Sequence, residues 1–152
     1  MSVTIDTFRQ QIISFAIQEY SFLCSKFGFK PPLVQNKLFT THIDYLYNDI
    51  AIEIEIDWKD ICIFLLVVRL DGGKLPKGYY MTNGAKSRLH LFQIIQYNNW
   101  EVDLTSIIKK TKNNLIEGEQ QIQIAMREEL IAWRKILKSC LDLIVKNGVN
   151  LF

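Results

Sequence analysis

The stretch Ile50-Ala51-Ile52-Glu53-Ile54-Glu55-Ile56-Asp57 decides the fold of this chain. It alternates apolar and acidic residues with period two, and strand side chains point to opposite faces in turn. Ile50, Ile52, Ile54 and Ile56 therefore share one face, while Glu53, Glu55 and Asp57 share the other. Asp57-Trp58-Lys59-Asp60 bends the chain into Ile61-Cys62-Ile63-Phe64-Leu65-Leu66-Val67-Val68, which is apolar on both faces. A one-faced strand beside a two-faced one predicts an edge-proximal strand paired with a central one.

Upstream, Phe39, Thr41, Ile43, Tyr45 and Tyr47 alternate with Thr40, His42 and Asp44, which predicts a strand over 39–47. Asn48-Asp49 turns it into 50–57, and connections this short between 39–47, 50–57 and 61–70 permit only an antiparallel meander. Leu33–Lys37 reads as a connector behind Pro31-Pro32. Before it, Phe8, Ile12, Phe15, Ala16, Tyr20, Leu23 and Phe27 make one apolar stripe, so 6–27 is expected to be a single helix ended by Gly28.

Downstream, Asp71-Gly72-Gly73 turns the chain, 74–78 is a loop, and Tyr79-Tyr80-Met81 is a short strand. Asn83-Gly84 is a hairpin signal, followed by a strand over Lys86–Leu91. Residues 92–97 fit a strand or a helix equally. Asp103 can cap a helix over 104–111 that ends near Asn113-Asn114. From Glu119 to Lys146, Ile122, Met126, Leu130, Trp133, Leu137, Cys140, Leu141 and Ile144 form a continuous seam ended by Gly148. One helix covering a sheet face accounts for that seam better than a self-associating coiled coil. The fold class is α+β: an N-terminal helix, an antiparallel meander of four to five strands, and C-terminal helices packed on one sheet face.

With 152 residues, 49% of them hydrophobic and 12% aromatic, the chain has the size and core material of one domain spanning 1–152. The three cysteines, Cys24, Cys62 and Cys140, fall in apolar periodic segments without metal spacing and read as buried thiols. No secretory signal is visible, and no run approaches the ~20 apolar residues of a membrane span, so a cytoplasmic protein is expected. The net charge of +2 is unevenly spread. Residues 41–71 set Asp44, Asp49, Glu53, Glu55, Asp57, Asp60 and Asp71 against Lys59 and Arg69 alone.

Four constellations could carry chemistry. Glu53, Glu55 and Asp57 put three carboxylates on one strand face, neighbours about 7 Å apart at ~3.4 Å per residue. They can meet basic groups of a partner or hold a divalent cation, and a solvated face that discourages edge pairing needs no function at all. Asp57-Trp58-Lys59, with Asp44 or Asp49 upstream, has the acid-x-Lys form of metal-dependent PD-(D/E)xK nucleases, in which a metal polarises phosphate and a lysine assists water. The Pro-Asp element is missing. His42-x-Asp44 and His90 could ligate zinc if their strands met, although unrelated surface histidines are the plainer reading. Lys74, Lys77, Lys86 and Arg88, interleaved with Tyr79 and Tyr80, could bind single-stranded nucleic acid through this 74–90 hairpin, or pair with the neighbouring acids. The sequence pI of 8.4 falls below the usual nucleic-acid footprint above about 9.

The runs Ile50–Lys59 and Asp71–Tyr80, with the helix-then-meander order and the acid-bearing strand, resemble small bacterial immunity proteins of polymorphic toxin systems. The resemblance implies a non-enzymatic cytoplasmic inhibitor that plugs or allosterically blocks a toxin protein. A monomer or homodimer without a cofactor is expected. The expected partner-binding residues are Glu53, Glu55, Asp57, Trp58 and Asp60, on an acidic sheet face with Trp58 as an aromatic anchor. No catalytic or metal-ligating set is assigned. The nuclease and nucleic-acid readings stand as alternatives.

Overall fold

A computed structural model describes residues 5–110 and 118–152. The chain is α+β, with five antiparallel strands ordered β1-β2-β3-β4-β7, an N-terminal helix, and a long C-terminal helix packed against the sheet. The strands are β1 (Leu33–Asn36), β2 (Thr40–Tyr47), β3 (Ile50–Asp57), β4 (Cys62–Arg69) and β7 (Arg88–His90). β5 (Met81–Thr82) and β6 (Ala85–Lys86) form a separate small hairpin. Asn83 and Gly84 both have positive φ, 53° and 78°, as the predicted tight turn between them requires.

The four isoleucines of β3 face α1 (Ile5–Glu19) and α5 (Glu119–Asn147). Register places Ile54 between Ile43 of β2 and Leu65 of β4, and Ile52 between Tyr45 and Val67. Ile12, Ala16 and Tyr20 close this core from one side, with Leu130, Trp133, Leu137 and Leu141 of α5 from the other. Full burial of one such side chain contributes about 1.5–3 kcal/mol. Directed bonds then fix where α5 sits. Trp133 Nε1 donates to the Ile63 carbonyl at 3.2 Å, Glu129 Oε1 accepts the Ile63 amide at 3.3 Å, and the Tyr20 hydroxyl donates to the Leu130 carbonyl at 2.8 Å.

Several expectations need correction. β3 is the middle strand of five, not an edge-proximal one, because Leu33–Asn36 is a strand that pairs with β2 rather than a connector. Both edges of β3 are therefore paired. The expected single helix over 6–27 breaks at Tyr20-Ser21 into α1 and α2 (Phe22–Phe27), which lets Phe22 and Leu23 bury together. Gly28 does end that segment, with φ at 78°. Tyr79 and Tyr80 precede β5 instead of joining it, and the strand expected over 86–91 divides into β6 and β7. Residues Leu91–Tyr97 form a helix, α3. Asp103 accepts the Thr105 amide at the start of α4 (Thr105–Lys110), while the end expected near Asn113-Asn114 lies outside the described residues. Cys140 is buried, with its thiol pushed up to about 12 by burial, whereas Cys24 and Cys62 are half-buried. No helix among the described residues is long and apolar enough to cross a membrane.

Candidate functional site: an ion network on the second sheet face

The opposite face of the sheet carries the acids. Here β2 contributes His42 and Asp44, β3 contributes Ala51, Glu53 and Glu55, and β4 contributes Phe64, Leu66 and Val68. Arg88 stands opposite Val68, and His90 opposite Leu66. Among the described residues, no helix lies over this face. The segment 71–87 crosses it as a strap, and Leu75 packs on a small cluster of Leu46, Ala51, Val68 and Leu70. Gly78 is required inside the strap, since a Cβ there would lie 1.7 Å from the Met81 carbonyl oxygen.

Beneath the strap the charges meet one another. Arg88 Nε donates to Glu53 Oε1 at 2.8 Å and Nη2 to Oε2 at 3.2 Å, a bidentate pair in which Glu53 is fully buried. Arg88 Nη1 donates to the carbonyls of Gly78 and Tyr79 at 3.2 and 2.9 Å, tying the strap to the sheet. Its guanidinium lies 4.7 Å from the centre of the Tyr79 ring. The Tyr79 hydroxyl donates to Glu55 Oε1, which also lies 2.9 Å from His42 Nε2. Tyr80 OH and His90 Nε2 are 3.0 Å apart at the outer rim.

Asp44 is the exception. It is fully buried opposite Glu53, and among the described residues no donor faces either carboxyl oxygen. Burial, and then the facing Glu53 carboxylate, push its pKa up to about 9, against the opposing pull of Arg88 and Lys37. The protonated form of Asp44 is thereby favoured at neutral pH, with the Glu53 carboxylate opposite it. Burial alone would raise the pKa of Glu53 too, but the Asp44 proton and Arg88 outweigh it and hold Glu53 ionised below the ordinary range. Glu55 is lowered likewise, the bonds from His42 and Tyr79 outweighing burial. Such a network is costly unless satisfied at every member, and removing one partner strands the rest.

The expected partner-binding residues consequently part company. Glu53 has no exposed surface, and the Glu55 side chain is only 13% exposed, so these two do not form an open acidic face. Asp57 Oδ1 accepts the amides of Lys59 and Asp60, holding the bend between β3 and β4. Trp58 is half-buried: its indole donates to Thr41 Oγ1 at 2.9 Å and its ring packs edge-on against Phe8. Asp60 is exposed.

The nuclease constellation is not assembled. Asp44 pairs with Glu53 and Asp57 with Thr40, which separates the two acids by four residues along β2, about 14 Å at ~3.4 Å per residue. Lys59 points over the Phe39 ring at 6.0 Å. His42 and His90 lie on strands β2 and β7, with β3 and β4 between them, and each has its own oxygen partner. In the basic hairpin, Arg88 and Tyr79 turn inward to the acids, which is the pairing weighed as its alternative.

Sequence reasoning missed the sheet edge. β1 is exposed along its whole length, with Leu33 49% and Val34 40% exposed. The bend after it exposes Leu38 at 74% and Phe39 at 55%. The apolar pair Leu33-Val34 behind Pro31-Pro32 was the available signal, since prolines commonly guard an edge strand. The bend stays beside 57–60: Trp58 N donates to the Phe39 carbonyl at 2.9 Å, and Arg9 Nη1 to the Leu38 carbonyl at 3.0 Å. This chain matches no protein-family model, no curated protein and no solved structure.

Proposed function

We propose that this chain is a non-enzymatic binding protein that takes an extended segment of a protein partner onto the free edge of β1. The observation that carries the reading is the exposed edge itself, which joins a free strand to exposed Leu33, Val34, Leu38 and Phe39. A strand edge offers backbone donors and acceptors to an incoming chain, and apolar side chains along it supply pockets for alternate residues. Asp57, Trp58 and Asp60 lie at the end of the sheet next to Phe39, where Asp60 can meet a basic group on the partner. That arrangement supports an immunity-type inhibitor acting on a toxin while moving the contact from the acidic face to the edge. Glu53 and Glu55 serve the fold beneath it.

Affinity capture from the source lysate tests this, comparing wild type with Leu38→Ser/Phe39→Ser and with Tyr80→Phe. A stoichiometric partner should be held by wild type and by Tyr80→Phe and lost by the double variant. Hydrogen exchange in the complex should slow within residues 33–40. Retention of the partner by the double variant, or protection confined to other strands, would contradict the reading.

A further inference from the structure

Asp44 and Glu53 present two buried carboxyl groups to each other with no donor side chain between them. Two facing acceptors need a cation between them, either a proton or a metal ion. The groups around the pair favour the metal. Nitrogen and oxygen ligand atoms of His42, Glu53 and Glu55 lie within 4.8 Å of one another. Donors about 2.1 Å from a central ion lie up to about 4.2 Å apart across it, so small side-chain rotations complete such a site. Asp44, fully buried and opposite Glu53, is the unpartnered carboxyl at its side.

We propose that His42, Asp44, Glu53 and Glu55 bind one first-row divalent cation of the Zn²⁺ or Mn²⁺ class. One imidazole among carboxylates suits these borderline ions, whereas Mg²⁺ and Ca²⁺ prefer oxygen alone and Cu⁺ prefers sulfur. Arg88 does not block the site. A carboxylate offers about four lone-pair directions, and the guanidinium of Arg88 uses one on each Glu53 oxygen. The Tyr79 hydroxyl, bonded to Glu55, orients that ligand from outside.

The charges close as well: three ionised carboxylates and the Arg88 guanidinium together carry two negative charges, which a divalent ion cancels. Protons compete with the metal for such ligands, so the binding is pH-dependent.

The test uses the full chain stripped with chelator and titrated calorimetrically with Zn²⁺ alone and Mn²⁺ alone. One ion should bind per chain, and Tm should rise with the bound ion. Asp44→Asn keeps a donor toward Glu53, so its metal-free Tm should stay close to wild type while its affinity falls at least ~10-fold. Glu55→Gln should weaken binding likewise. Absence of binding at micromolar metal, or binding that Asp44→Asn retains unchanged, would overturn the proposal and leave a proton as the shared cation.

Discussion

Ile54 and Glu53 are neighbours on one strand, both fully buried, yet they are buried on opposite terms. Ile54 lies in a continuous apolar core under two helices, where shape and volume are what matter. Glu53 lies under a loop, where its desolvation is offset by Asp44 and Arg88, with His42 adding to them. Loss of packing on the first face removes contacts in proportion to volume. Loss of one partner on the second leaves an uncompensated charge. The helix-covered face should therefore tolerate conservative change, while the strap-covered face should fail at single atoms.

The largest expected effect follows from that contrast. Arg88→Met removes the guanidinium and frees the strap, and should cost about 3–5 kcal/mol in urea unfolding, because Glu53 is left buried and unpaired. Adding Glu53→Leu to it should recover much of the loss, since an apolar pair replaces the stranded charge. A double variant no more stable than Arg88→Met would break the distinction between the faces. On the apolar side, Ile54→Ala should cost about 2–5 kcal/mol through its cavity, and the further change Leu65→Ala should not reverse it.

The strand pattern was legible in the sequence because period-two alternation is a local property. Ile50–Asp57 and the turn at Asn83-Gly84 could be read without knowing what covers them. What covers the acidic face is not local. Glu53 meets Arg88 across 35 residues and Glu55 meets Tyr79 across 24, through a strap whose path depends on Gly78. Alternation of apolar and acidic residues ordinarily marks a face in water, so Glu53 looked exposed. β1 escaped notice for the converse reason: four residues behind two prolines carry too short a pattern to distinguish an edge strand from a connector.

A smaller effect separates Asp44 from the other acids. Its native pKa of about 9 lies above the unfolded value near ~3.9, so the native chain holds a proton that the unfolded chain has lost between those limits. Stability from this group therefore falls as pH rises toward 9. Glu53 and Glu55 are lowered instead, so their contribution is lost only on the acid side. In chelator, the decline of Tm between pH 6 and 9 should be steeper for wild type than for Asp44→Asn. Equal slopes would mean that Asp44 is ionised, with the pull of Arg88 and Lys37 prevailing over burial and the facing Glu53 carboxylate. The smallest change is expected at the edge, where Leu38→Ser and Phe39→Ser should each shift stability by no more than about 0.5 kcal/mol.

One comparison tests most directly whether the acids of this region divide between fold and surface. Thermal unfolding of Glu53→Gln should be measured beside Asp60→Asn, two single-charge changes seven residues apart in the same sequence. Glu53→Gln strands Arg88 and should lower Tm by roughly 6–12 °C, from a loss of about 3 kcal/mol. Asp60→Asn, at the exposed bend, should leave Tm within roughly 2 °C. Equal small shifts in the two variants would contradict the buried network and return Glu53 to the open acidic face that the sequence suggests.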